Sequence, residues 1–155
     1  MSRGVWTSSA FIWGTYGVAL AMPVLTANVD GYHASLFGYE ALLCGWDWPG
    51  TIPECANLAL IAGWVSLIRR RAVASACGIA AVGLALSAPS IYSDASHPGW
   101  RDWFWRVSDV SASVDVTHNP VHLGWGYWLW LASMLQLLVY CISQGAKECH
   151  WKSGP

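Results

Sequence analysis

Two histidines, His118 and His122, stand four residues apart around Asn119-Pro120-Val121. On a helix this spacing puts both imidazoles on one face, which suits a divalent metal such as zinc or copper. His97, Asp94, Asp109 and Asp115 occupy the same part of the chain. A metal site needs three or four converging ligands. No Cys or Glu completes the set, and Pro120 interrupts a helix between the two histidines. The plainer alternative makes His118 a turn residue and His122 a partner for a carbonyl.

Cys44 and Cys55 are the second candidate pair, enclosing Trp46, Trp48, Pro49 and Pro53. In an oxidising compartment they are expected to form a disulfide; the alternative is two free buried thiols. Cys77, Cys141 and Cys149 read as small apolar residues, with Cys149 placed where acylation can occur. Ser108, Ser111 and Ser113 lie near His118, but no nucleophile elbow or Gly-rich loop frames them. Phosphate-binding loops and haem-attachment motifs are likewise missing. No catalytic residue and no resident cofactor are expected, and the chain leans away from enzymes.

The elements that must position these residues follow from composition. Of 155 residues, 55% are hydrophobic and 11% charged, against roughly 25% charged in an average soluble domain. A net charge of −1 gives no bulk field for nucleic acid. Long uncharged windows alternate with short charged ones, the pattern of a polytopic membrane protein. The expected fold class is all-α: a single membrane domain over residues 1–155, built as a four-transmembrane-helix bundle. Spans are expected at about 8–28, 52–70, 72–92 and 121–143, with outer loops at 29–51 and 93–120.

Each span has its own signature. Ala10, Gly14, Gly17 and Ala21 put small residues on related faces of the first, and Pro23 is expected to kink its outer end. Thr51-Ile52-Pro53-Glu54 has capping-box spacing, opening the second helix. Asn57, one turn inside, needs a hydrogen-bond partner. The third span is rich in Ala and Gly, as suits the centre of a bundle. Trp125, Tyr127, Trp128 and Trp130 form an aromatic belt at the start of the fourth, and Gln136 deep within it predicts an interhelical hydrogen bond.

Each outer loop carries a predicted interfacial helix. In the first, Ser35–Trp46 would lie on the membrane surface, with Glu40 a solvated or helix-capping carboxylate. In the second, Trp100, Trp103, Phe104 and Val107 recur at one-face spacing, opposite Arg101, Asp102 and Arg106.

Arg69, Arg70 and Arg71 sit between the second and third spans. With four crossings they share a side with Arg3, Lys147 and Lys152, whereas only Arg101 and Arg106 fall on the other. The positive-inside rule then puts both termini and the arginine cluster in the cytoplasm, touching anionic lipid. Both long loops face the periplasm or exterior of a plasma (inner) membrane. No ionisable side chain falls near the middle of a predicted span, which argues against ion-coupled transport.

The stretches GYEALLCGW (Gly38–Trp46), CANLALIAGW (Cys55–Trp64) and GYWLWLASM (Gly126–Met134) resemble a loose group of small bacterial four-span inner-membrane proteins without an assigned biochemical activity. The resemblance implies an inner-membrane protein with these loops outside, and it carries over no catalytic residue. The expected function is non-enzymatic, through protein–protein contacts in or above the bilayer, as an accessory subunit of a membrane complex or an immunity-type protein. Trp100, Trp103, Phe104, Trp125, Trp128 and Gln136 are the candidate interface residues. A homo-oligomeric pore is the alternative, and an outer-face metal site at His97, His118 and His122 a further one.

Overall fold

The structure, a computed structural model, describes residues 3–29, 32–44, 51–67, 71–89 and 121–152. These are mostly helical. Helix α1 covers Arg3–Ala21, strands β1 and β2 cover Pro23–Val29 and Tyr32–Phe37, and helix α2 covers Gly38–Cys44. Helices α3 (Thr51–Ser66) and α4 (Arg71–Leu86) follow, then strand β3 (Val121–Leu123) and helix α5 (Trp125–Lys152). The segment Trp125–Gln144, 20 residues, is the one stretch among the described residues long and apolar enough to cross a bilayer. Ala72–Leu86 is apolar but shorter.

The first expected span is corrected. It runs as helix only to Ala21, because Pro23 has no N–H to continue the ladder and disfavours the helical conformation at Met22. A bonded turn, Met22 N–H to the Ala19 carbonyl at 3.2 Å, ends α1. From Pro23 the chain is extended, with Pro in the first strand position, where it costs least. β1 pairs antiparallel with β2, from Pro23 opposite Phe37 to Val29 opposite Tyr32, with an irregularity between Pro23 and Leu25. β3 lies along the other side of β1, setting Thr26 opposite His122, so the order is β2-β1-β3. Leu25 and Leu36 face each other and are buried. Where the sequence predicts a helix over 35–46, the helical part is Gly38–Cys44, and Tyr32–Phe37 is strand.

The other boundaries shift for related reasons. α3 ends at Ser66 and α4 at Leu86, short of the expected 70 and 92. α5 begins at Trp125, after Val121–Leu123 has joined the sheet, and extends beyond Ser143 to Lys152. Gly124 forms the corner, accepting from Tyr127 N–H (3.2 Å) and donating to the Val24 carbonyl (2.8 Å).

The long helices form a bundle in which α3 packs on α4, α4 on α5 and α5 on α1. α1 and α3 meet through side chains: Trp64 Nε1 donates to Ser9 Oγ at 3.0 Å, and the Trp13 and Trp64 rings meet edge-on at 5.5 Å. The inward face of α4 is Ala74, Ala81 and Ala85, as its composition predicts. Gly78 lies under Leu138, and Gly63 lets Leu137 and Cys77 approach α3. Outward, by contrast, Phe11 (70% exposed), Val65 (56%), Ile79 (62%) and Val139 (63%) stand uncovered on α1, α3, α4 and α5.

Candidate functional site

A set of buried polar groups lies beneath the sheet, around Asn57. Glu54 and Asn57 lie one turn apart on α3, and each is only 5% exposed. Asn57 Oδ1 accepts from Tyr16 OH of α1 (3.1 Å) and from Trp130 Nε1 of α5 (2.7 Å). Two donors on that oxygen fix the amide, so its nitrogen points the other way. It donates to Glu54 Oε2 at 2.6 Å. Three helices thus meet at one amide. Alongside, Tyr127 OH donates to the Ala85 carbonyl at 3.2 Å, tying α5 to α4.

α3 opens at Thr51, where the Thr51–Glu54 pattern places the start of the second helix, and the Glu54 carboxylate is engaged by Asn57 inside the bundle. The capping arrangement occurs instead at Glu40, whose Oε2 accepts from Phe37 N–H at 2.8 Å, just ahead of α2. Tyr39 OH donates to Glu40 Oε1 at 3.2 Å. This bond, followed by the charge of Glu40, holds the Tyr39 phenol above its ordinary value.

A cavity of about 40 Å³ opens beside Glu54 and Asn57, between the bundle and the cap formed by the strands and α2. Tyr16, Tyr127 and Trp130 line it together with apolar side chains. Among the described residues the site holds one carboxylate, one amide and three aromatic rings, a set that can accept hydrogen bonds from a ligand.

Of the expected metal ligands only His122 is described, and it lies exposed on β3. His118 and His97 lie outside the described residues, as do Trp100, Trp103, Phe104, Arg69 and Arg70. Among the described residues no three His, Cys, Asp or Glu gather to hold a metal. Cys55 is a half-buried free thiol; Cys44 ends α2, with its side chain outside the described ones. Arg71 opens α4. Trp125 and Trp128 are exposed at the head of α5.

Gln136 makes the interhelical bond its position predicts, Nε2 to Thr15 Oγ1 of α1 at 3.1 Å. Its Oε1 is buried without a partner. Gln136→Leu therefore removes a half-satisfied amide and is expected to change stability by less than about 1 kcal/mol. Thr15→Val leaves the amide with neither partner and should cost about 1–3 kcal/mol. Unfolding midpoints of the two variants in one detergent check this ranking.

Among the described residues, fold and site together define a class: a bundle of four long helices closed at one end by a three-stranded antiparallel cap, with a polar knot under the cap. No family model matches the chain, and neither a curated protein nor a solved structure is detectably similar to it.

Proposed function

We propose that this is an integral membrane protein whose four long helices cross the bilayer, and that it acts without catalysis, by binding a helix of another membrane protein. The supporting observation is the inside-out distribution of side chains. Large apolar residues stand exposed on all four helices, while Ser9, Asn57 and Ser133 are buried. A water-soluble bundle rarely leaves so much apolar surface open; lipid covers it at no cost. Both termini and the Arg69–Arg71 cluster lie in the cytoplasm, by charge asymmetry, and the cap lies outside. The partner face is on α1, where Ala10, Gly14, Gly17 and Ala21 are exposed and nothing lies within 4 Å of a side chain built at Gly14 or Gly17. In lipid such a shallow face lets another helix approach closely.

Two measurements test this. Alkaline phosphatase fused after Asp47 should be active and after Arg70 inactive; the reverse pattern rejects the orientation. Gly14→Leu with Gly17→Leu fills open space without disturbing the bundle, so the protein should still fold. It should lose at least about tenfold of its co-purified membrane partner, roughly the worth of 1.4 kcal/mol. Unchanged capture by a folded double variant rejects the α1 face.

A further inference from the structure

The cavity under the cap sets a carboxylate among aromatic rings. Its volume, about 40 Å³, exceeds the roughly 10–15 Å³ one water requires and suits a ligand of a few heavy atoms. A carboxylate offers about four acceptor positions. Among the described residues Glu54 receives one hydrogen bond, from Asn57. The donors at the aromatic tips are committed elsewhere: Tyr16 and Trp130 to Asn57, Tyr127 to the Ala85 carbonyl. Among the described residues no cationic side chain is paired with Glu54; its one partner is the neutral amide of Asn57.

We propose that this cavity binds a small organic ammonium ion, of about the size of methylammonium. Its N–H groups donate to Glu54 in charge-assisted hydrogen bonds. Its alkyl part lies against the rings of Tyr16, Tyr127 and Trp130, which attract cations through their faces. Other ligand classes fit the site less well. An anion would meet the carboxylate, and an apolar molecule would leave it unpaired. A divalent metal would find one carboxylate where several ligands are needed. The site goes beyond the helix partner proposed above and does not depend on it.

The test uses the full chain in detergent, titrated with methylammonium chloride against sodium chloride at equal ionic strength, with thermal unfolding and calorimetry as readouts. A saturable rise in unfolding temperature is expected with methylammonium and not with sodium. Glu54→Gln keeps an acceptor for Asn57 but loses the charge, and should weaken binding by about tenfold or more. Ala41→Leu, on the α2 wall of the cavity, should abolish the saturable response by occupying the space. No response in the unaltered protein, an equal response to sodium, or undiminished binding in either variant would overturn the proposal. If Glu54→Gln does not fold, Ala41→Leu decides alone, because retained binding there is incompatible with a ligand in this cavity.

Discussion

Asn57→Ala is expected to destabilise the protein by about 3–5 kcal/mol, the largest loss from truncating one polar side chain. The magnitude follows from what the truncation leaves behind. Tyr16 OH and Trp130 Nε1 lose their acceptor, and Glu54 Oε2 loses its donor. Each buried group left unpaired costs about 1–3 kcal/mol, and water entering the neighbouring cavity offsets part of the sum. Asn57→Asp separates the components. It keeps the acceptor for Tyr16 and Trp130 but replaces the donor facing Glu54 with a second carboxyl, so it should be at least as damaging. Tyr16→Phe and Trp130→Phe should each cost about 1 kcal/mol, because Asn57 Oδ1 keeps the other donor. The double variant strands that oxygen and should lose more than the sum. Unfolding midpoints in one detergent check the series, and an Asn57→Ala protein within about 1 kcal/mol of the parent would mean the three helices do not depend on this amide.

The contrast between Glu40 and Glu54 explains how much was legible in the sequence. Local rules hold where the partner is local. Glu40 caps α2 through Phe37, three residues away, and its capping role is readable from the chain alone. Glu54 satisfies a similar local pattern but is drawn into the bundle, because Asn57 is itself oriented by Tyr16 and Trp130, 41 and 73 residues distant. Asn57 and Gln136 announce themselves as amides in apolar spans that need partners; the identity of those partners is tertiary and leaves no local trace. The signal that pointed toward them is weaker: Tyr and Trp in a buried helix seek an acceptor for their O–H and N–H groups. The helices α3, α4 and most of α5 follow from uncharged apolar windows. The sheet does not, because hydropathy over Val24–Val29 cannot distinguish a buried strand from the end of a helix. Pro23 and the β-branched Val24, Thr26 and Val29 were the better guide.

Gly126→Ala is expected to cost about 3 kcal/mol or more, against the sign that helix propensity predicts. A Cβ there would stand 2.5 Å from the Met22 carbonyl oxygen and 2.9 Å from Val24 Cγ1. At Gly38 it would stand 2.5 Å from the Ala19 carbonyl oxygen and 2.8 Å from Leu20 Cα, and at Gly124 it would collide with the Pro23 carbonyl. Apart from Val24 Cγ1 these obstacles are backbone, which cannot rotate away as a flexible side chain can. The three glycines converge on the end of α1, where terminal carbonyls lack intrahelical partners. Gly38 N–H meets the Met22 carbonyl at 3.0 Å, and Gly124 N–H meets that of Val24 at 2.8 Å. An added methyl pushes the cap off the bundle and breaks these bonds with it, and two such substitutions should not add, since they displace the same corner. Gly14, Gly17 and Gly83 provide the opposite case. They lie within helices and nothing stands within 4 Å of their Cβ positions, so alanine there should stabilise by about 0.5–1 kcal/mol. Thermal unfolding of all six Gly→Ala variants should therefore split them by sign. If Gly126→Ala joins the stabilised group, the close seating of the sheet on α1 is wrong, and with it the enclosure of the cavity beside Glu54.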